Sequence, residues 1–128
     1  MKLLLDTHAF LWWIADDSRL SSRAAAVIAD GENEVWVSAA SAWEIAIKSG
    51  LGRLEVPDPV DRFVPAQLRA NGFLSLPISL RHALATSDLP DGNRDPFDRM
   101  LAAQAITEEL TLVTGDRALQ GLPVTWEW

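Results

Sequence analysis

The sequence of 128 residues contains no cysteine. The absence of thiols excludes a disulfide scaffold, a metal site built on thiolates and catalysis by a cysteine nucleophile. A metal ion would have to be held by oxygen ligands or by one of the two histidines, His8 and His82.

The sequence also lacks a long hydrophobic run. The apolar stretch near the N-terminus is brief, only Lys2 stands before it, and no small-residue cleavage site follows it. We therefore expect neither a signal peptide nor a membrane span. A chain of 128 residues has room for one good hydrophobic core but not for two. The sequence predicts a single cytoplasmic domain over residues 1–128.

Basic residues are few. The chain has 11 Lys and Arg residues against 18 Asp and Glu residues, which gives a formal net charge of −7. A protein that binds nucleic acid over a broad surface needs many Lys and Arg residues, so the charge argues against this mode of binding. Two explanations of the acidic excess stay open: bound divalent cations or solubility.

The first apolar run, from Lys2 to Leu5, ends abruptly at Asp6. An apolar run of strand length, followed at once by a helix-length segment, is typical of a central parallel strand buried on both faces. In open α/β sheets the ligand crevice lies outside the carboxyl ends of the strands. Asp6 therefore stands where a functional site is expected.

Strand and helix patterns alternate along the rest of the chain. Further strands are predicted at residues 34–38, 73–78, 111–114 and 124–126. Helices are predicted at residues 9–15, 22–30, 41–49, 58–71, 80–87 and 96–110, the last being the longest. Pro65 is expected to kink or divide its helix, and Pro77 indicates that the third strand is an edge or ends early. The alternation predicts an α/β fold with a parallel sheet covered by helices on both faces.

Acidic residues follow the predicted strands. They are Asp6 after the first strand, Glu44 one helical turn beyond the second, Asp95 and Asp98 in the first turn of the long helix, and Asp116 after the fourth. If the strands are neighbours, these acids converge on one edge of the sheet with almost no basic residue among them. Their mutual repulsion favours a bound cation or protonation. Oxygen ligands without cysteine suit Mg²⁺ or Mn²⁺.

Four of the five acids also have a purely structural explanation. Ser41 and Glu44 have the spacing of a capping box, Asp95 before Pro96 is a natural N-cap, and Asp98 suits any first helical turn because of the helix dipole. Asp116 fits a simple turn. Asp6 is harder to explain by solvation because it directly follows a buried strand. Four separate segments place acids on one edge of the sheet, and the independent structural explanations would all have to coincide there. This convergence favours the functional interpretation.

Four segments together carry a resemblance to a known family. They read LLDTH at residues 4–8, SAASAWEIAIK at 38–48, DPFDRMLAAQA at 95–105 and LVTGD at 112–116. Their identity, order and spacing are similar to those of the PIN-domain family, specifically the ribonuclease toxins of VapC type. The resemblance implies a three-layer α/β/α fold with a central, mostly parallel sheet of four to five strands.

The same resemblance implies an activity and a site. It implies an endoribonuclease that depends on Mg²⁺, for which Mn²⁺ substitutes, and that hydrolyses RNA phosphodiester bonds. By motif position, Asp6, Glu44, Asp98 and Asp116 match the acidic quartet of the family, with Asp6 and Asp98 as metal ligands and Asp95 as a supporting acid. The implied partners are an RNA substrate and a small antitoxin that blocks the cleft. A homodimer or a toxin–antitoxin hetero-oligomer is expected.

Basic residues near this edge are candidates for holding the flanking phosphates of RNA. They are Lys48, Arg53, Arg94, Arg99 and Arg117. Solvated or structural roles stay open for each: Arg99 has acids beside it with which to pair, and Lys48 has a stem that can snorkel from its helix.

Neighbouring aromatic residues Trp12 and Trp13 are splayed by about 100° on a helix. One is expected to cover the core, and the other to be exposed or to meet a partner, because Trp is enriched in interface hot spots. His8 and His82 are interpreted as packing or capping residues. A non-catalytic binding module with a structural metal remains the alternative function, since intact acids permit catalysis without proving it.

Overall fold

A computed structural model describes all 128 residues. Its centre is a five-stranded, wholly parallel sheet with the strand order β3-β2-β1-β4-β5. The strands are β1 (Lys2–Leu5), β2 (Glu34–Ser38), β3 (Leu74–Leu76), β4 (Thr111–Val113) and β5 (Trp126–Glu127). The expected α/β fold class, with four to five parallel strands, is confirmed.

Seven α-helices and one 3₁₀ turn surround the sheet. They are α1 (Thr7–Ile14), α2 (Ser22–Ala29), α3 (Ala39–Gly50), α4 (Val60–Asn71), α5 (Leu80–Ala85), the 3₁₀ turn Thr86–Asp88, α6 (Pro96–Thr107) and α7 (Arg117–Gln120). None of these helices combines the length and the apolar character that a crossing of the bilayer requires.

The central strand β1 separates two hydrophobic cores. Leu3, Leu4 and Leu5 have no solvent exposure. Leu3 and Leu5 pack with residues of α1, α2 and α4 on one face, while Leu4 packs with residues of α6 and α7 on the other. Successive side chains of a strand point to opposite faces, so the uninterrupted leucine run reflects burial on both sides.

The register of β1 fixes the position of the residue that follows it. Leu5 pairs with Val37 of β2 on one side and with Val113 of β4 on the other. Asp6 therefore emerges level with the ends of both neighbouring strands, and its N–H donates to the Val113 carbonyl (3.1 Å). The chain then turns directly into α1. This arrangement places the start of α1 at the carboxyl edge of the sheet.

Several helix and strand boundaries differ from the predicted ones. Pro65 lies inside α4, which continues from Val60 to Asn71 without division. Helix α6 has 12 residues, the same as α3 and α4, so the prediction that it is the longest was wrong. The third strand is shorter than predicted, and it lies at an edge of the sheet, as Pro77 indicated. Helix α7 was not predicted, because four residues are too few for a periodic pattern.

Candidate metal centre

The predicted acidic residues lie where the chain leaves the carboxyl edge of the sheet. Asp6 directly follows β1, and Asp116 stands three residues after the end of β4. Glu44 is in the second turn of α3, the helix that continues β2, and Asp98 is in the first turn of α6. Asp95 is the residue just before α6.

Asp6 is a buried carboxylate, with 4% of its surface exposed. It is the N-cap of α1 and accepts a hydrogen bond from the Ala9 N–H at 2.7 Å. Burial raises the pKa of Asp6 above its usual range, and the nearby Asp116 adds to this rise. Hydrogen bonds from Thr114 and Ala9 and the charge of His8 oppose it. An ionised Asp6 is therefore short of positive charge in the protein alone.

Asp98 shows the same deficit more clearly. Burial raises its pKa to about 6, and Asp95, Asp116 and Glu44 add like-charge repulsion, although the amide of Asn93 opposes the rise. The Asn93 Nδ2 atom donates to the Asp98 Oδ2 atom at 3.1 Å. Because Asp116 acts on both Asp6 and Asp98, the predicted acids form one electrostatic cluster.

We expect the raised pKa of Asp98 to control the stability of the metal-free protein. The folded chain holds a proton on Asp98 up to about pH 6, whereas the ordinary pKa is 3.8, so the free energy of unfolding should fall as the pH rises through this window. Asp98→Asn should flatten this dependence and stabilise the metal-free protein at pH 7 by roughly 1 kcal/mol, allowing for solvent screening. Thermal melts in a chelator between pH 4 and 8 measure both effects. A steeper dependence in the variant would contradict this interpretation.

Glu44 is buried, and both of its carboxylate oxygens have partners. Thr7 Oγ1 donates to Glu44 Oε1 at 2.7 Å, and Lys48 Nζ donates to Oε2 at 2.7 Å. Ser41 Oγ lies 3.0 Å from Thr7 Oγ1. The N-cap of α3 is Ser38 rather than Ser41, so the capping-box explanation of Glu44 was wrong, because Glu44 lies beyond the first turn.

Thr7 is a site residue that the sequence argument did not single out. Its hydroxyl is buried and connects α1 with Glu44, which lies 37 residues further along the chain. We expect Thr7→Val to lower metal-dependent activity about 10- to 100-fold, the usual effect of removing a group that orients a ligand. Thr7→Ser keeps the hydroxyl and should retain most of the activity. A loss in Thr7→Ser as large as that in Thr7→Val would contradict a role that depends on the hydroxyl.

Asp95 and Asp116 are exposed and act as helix caps. Asp95 accepts hydrogen bonds from the N–H groups of Phe97 (2.8 Å) and Asp98 (3.1 Å). Asp116 caps the short helix α7 through the Ala118 N–H (2.9 Å). The structural explanation of Asp95 as an N-cap is confirmed. Each of these carboxylates caps its helix through one oxygen only. Both acids therefore still add negative charge to the cluster.

The cluster provides the ligand type for a hard divalent cation but not a closed cage. No three acidic or histidine side chains lie close enough together to hold a metal ion. Mg²⁺ usually binds proteins through one or two carboxylates and keeps several of its waters. The two acids with raised pKa values, Asp6 and Asp98, fit this kind of site. The donor chemistry is therefore suited to Mg²⁺ or Mn²⁺ bound partly through water.

The five predicted phosphate-binding residues have different surroundings. Lys48 is paired with Glu44 (2.7 Å) and, with Arg53, lines a cavity of about 660 Å³ between α1, α3 and α4. Arg94 and Arg117 are exposed and take part in none of the salt bridges. All four lie on the elements that carry the acidic cluster or beside them.

Arg99 has a structural role, which is one of the two roles left open for it. Its guanidinium donates to four backbone carbonyls between the 3₁₀ turn and α6, those of Thr86, Leu89, Pro90 and Asn93. These bonds use the planar fork of donors that arginine offers. Arg99 therefore fixes the loop before α6.

Trp12 and Trp13 are both half-buried and have different neighbours. The prediction that one of them covers the core is confirmed for Trp13, whereas Trp12 is half-covered by residues of the same chain rather than exposed. Trp13 packs against the core residue Phe73, with ring centroids 6.3 Å apart. Trp12 stacks on His8 (5.4 Å) and lies 6.0 Å from the ring of Trp128. The C-terminal Trp128 also covers Gly115, where an added Cβ atom would lie only 2.5 Å from the indole. Gly115 thus allows the indole to pack beside Asp116.

His82 is a capping residue, as predicted. Its backbone N–H donates to the Ser79 hydroxyl (3.1 Å), and its Nδ1 atom accepts from the Ser79 N–H (3.0 Å). Its Nε2 atom lies 2.8 Å from Glu108. These partners satisfy the ring within α5 and α6, so His82 is not available as a metal ligand.

Comparisons with known proteins agree with this geometry. The family model of the PIN domain matches residues 3–123. Ribonuclease VapC22 from Mycobacterium tuberculosis is 34% identical over 119 residues, which cover 92% of this chain and 89% of that protein. Ribonuclease VapC16 from the same organism is 45% identical over 58 residues. This second match spans 45% of this chain and less than half (40%) of VapC16.

Solved structures share the fold at low sequence identity. A chain in the crystal structure of VapBC2 from Rickettsia felis, bound to a DNA fragment from its promoter, has a TM-score of 0.69. The two chains are 17% identical, and the match covers 100% of this chain and 99% of the other. At this identity the likeness concerns the arrangement of helices and strands.

Proposed function

Because the chain belongs to the PIN-domain family, we propose that it is a metal-dependent endoribonuclease of VapC type that hydrolyses RNA phosphodiester bonds with Mg²⁺ or Mn²⁺. The observation that carries the proposal is the electrostatic state of the cluster. Two of its carboxylates, Asp6 and Asp98, have raised pKa values, and no arginine or lysine neutralises them. A divalent cation is the missing counter-charge.

Asp6 and Asp98 are the residues that we assign to hold the cation, with Glu44 and Asp116 contributing through water. A divalent cation at such a site activates a water molecule and offsets charge on the phosphate. Asp6 is held by the start of α1 through its bond to Ala9 (2.7 Å). Asp98 is held by Asn93 and by its place in the first turn of α6. Each proposed ligand is thereby held by the start of a different helix.

Glu44 and Lys48 extend the site toward the substrate. Thr7 and Lys48 hold the Glu44 carboxylate between them, so that it accepts hydrogen bonds from a defined direction. Lys48 also borders the cavity that Arg53 lines. We assign Lys48, Arg53, Arg94 and Arg117 to the flanking phosphates of the RNA. Because the chain has a net charge of −7, we expect it to bind phosphates through a few local cations rather than over a broad basic surface.

We further propose a small antitoxin as the cellular partner of the chain. The VapC-type motifs and the similarity to Ribonuclease VapC22 support this proposal, and the shared fold with a chain of the VapBC2 structure is consistent with it. An antitoxin that covers the acidic edge would block access of RNA and meet the negative cluster with its own positive charge. Association of two chains, or of chains with the antitoxin, belongs to the same proposal.

Cleavage of RNA by purified, antitoxin-free protein tests the proposed function. Total RNA and single-stranded oligonucleotides are incubated with Mg²⁺ or Mn²⁺, with a chelator and with the chelator followed by excess metal. We expect cleavage only when metal is present. Glu32→Gln is the matched control, because Glu32 is an exposed acid in the turn before β2, at the opposite edge of the sheet. Cleavage that persists in the chelator would contradict the proposed metal dependence. No cleavage of any RNA by folded protein would favour the non-catalytic binding module instead.

A further inference from the structure

An exposed aromatic pair borders the acidic cluster. Trp43 on α3 and Phe97 in the first turn of α6 have ring centroids 5.2 Å apart and planes at 77°, so the edge of one ring meets the face of the other. The surface of Trp43 is 61% exposed. Burial in the core therefore does not explain this tryptophan. Its indole N–H makes no hydrogen bond to the protein, unlike the indoles of Trp13 and Trp36.

The pair joins the same two helices as the acids. Trp43 directly precedes Glu44, and Phe97 directly precedes Asp98. Glu44 and Asp98 face each other closely enough for Glu44 to raise the pKa of Asp98. The aromatic pair therefore lies on the two helices that carry Glu44 and Asp98, each ring one residue from one of these acids.

We propose that Trp43, braced by Phe97, is a stacking platform for a nucleobase of single-stranded RNA next to the scissile phosphate. The inference rests on the proposed nuclease function and adds a substrate subsite to it. Aromatic side chains that stack on bases are the common means of holding single-stranded RNA. The phosphate joined to the stacked nucleotide then lies toward Glu44 and Asp98.

The net negative charge of the chain favours base stacking over phosphate contacts as the means of holding RNA. With a net charge of −7, the chain gains little affinity from the phosphate backbone, which usually dominates the binding of nucleic acids. Stacking does not depend on charge, because every base has a π face. Arg94, exposed in the loop before α6, precedes Phe97 by three residues in the sequence. The aromatic pair and this arginine together offer a base contact and a phosphate contact at one end of α6.

The helix face that carries Trp43 also offers a control. Ile47 and Leu51 follow Trp43 at intervals of four residues and are 38% and 62% exposed. A protein partner on this face, such as a second copy of the chain, would contact the whole stripe. A nucleobase beside the acids would contact Trp43 alone, since Ile47 lies one turn further along α3. Variants at the two positions therefore separate the two occupants.

The test compares RNA binding by Trp43→Leu, Trp43→Phe and Ile47→Ala, each combined with Asp98→Asn so that no RNA is cut. The probes are fluorescein-labelled single-stranded oligo(A) and oligo(U) of about 12 nucleotides, within the usual footprint of such sites, followed by fluorescence anisotropy in Mg²⁺. Sedimentation velocity and thermal melts are run on the same samples. Trp43→Gln serves as a second non-aromatic variant in case the leucine variant misfolds.

We expect Trp43→Leu to weaken RNA binding roughly 5- to 150-fold, the range found when one stacking contact is removed. Trp43→Phe should bind nearly as well as the parent, and Ile47→Ala should be unchanged. The inference is overturned if Trp43→Leu binds RNA like the parent, if Ile47→Ala loses as much affinity, or if both variants instead alter the sedimentation coefficient. If the parent, Asp98→Asn with Trp43 intact, binds neither probe, both this inference and a single-stranded RNA substrate of this kind fail. If the parent binds RNA and Trp43→Leu binds it equally well, only this inference fails and the proposed nuclease function stands.

Discussion

Asp98→Asn should reduce the rate of RNA cleavage by roughly 1,000-fold, the order of effect seen when a group that stabilises developing charge is removed. The amide keeps the shape of the side chain and its place in the first turn of α6, but it removes the charge that we assign to the cation. The backbone bonds that Asp95 makes to this turn do not involve the Asp98 side chain. Initial rates on a labelled RNA in Mg²⁺ measure the effect.

The stability of the same variant separates loss of chemistry from loss of fold. Because Asp98 has a pKa of about 6 in the metal-free protein, its ionised form opposes folding at neutral pH. Asp98→Asn should therefore be inactive but no less stable than the parent in a chelator. Glu32→Gln, at the opposite edge of the sheet, should retain full activity. Full activity in Asp98→Asn would remove this residue from the site.

Replacements of Asp6 should separate its two roles, as a helix cap and as a charged ligand. Asp6→Asn keeps an oxygen for the Ala9 N–H, since Asn and Asp are equally good N-caps, but it removes the charge. We expect a loss of activity of about 1,000-fold with stability preserved. Asp6→Ala should lose the same activity and also about 1 kcal/mol of stability, because the cap disappears.

Thermal denaturation in a chelator and cleavage rates in Mg²⁺ are measured for both Asp6 variants. Burial raises the pKa of Asp6, so removal of its charge by Asn carries no expected penalty in the metal-free state. An Asn variant that is as destabilised as the Ala variant would show that the carboxylate stabilises the fold through its charge. An active Asn variant would leave Asp6 with the capping role alone.

The central strand and its acid could be predicted because their signals are local. A run of leucines at residues 3–5 requires burial on both faces, and the bounds of β1 and β2 agree with the predicted ones. The parallel order then brings Asp6, Glu44, Asp98 and Asp116 to one edge. Each of these positions follows from the end of a strand or the start of a helix, which sequence patterns mark well.

Contacts between distant segments could not be predicted in the same way. The hydrogen bond from Thr7 to Glu44 spans 37 residues, and the one from Ser38 to Gln104 spans 66. The edge contact of Trp43 with Phe97 likewise depends on how α3 packs on α6. No local pattern announces such pairs, because they arise only from the packing of helices on the sheet.

Arg99 shows a further limit of sequence patterns. Beside Asp98, it fitted the expectation of a phosphate-binding cation, yet its guanidinium is held by carbonyls of the preceding loop. The loop is rich in turn residues, and its unpaired carbonyls need donors. Only the folded path of the chain shows that these carbonyls surround Arg99. The guanidinium of Arg99 thus stabilises the loop, whereas that of Arg94 makes no such bonds.

Binding of Mn²⁺ to the antitoxin-free protein tests the metal centre most directly. Isothermal titration calorimetry on the parent, Asp98→Asn and Glu32→Gln gives the dissociation constants, and Mg²⁺ is added as a competitor. We expect equal binding by the parent and Glu32→Gln, displacement by Mg²⁺, and more than about 100-fold weaker binding by Asp98→Asn, since loss of a direct ligand exceeds the effect of outer contacts. Equal Mn²⁺ binding by all three proteins, or none by the folded parent, would contradict a metal site at the carboxyl edge of this sheet.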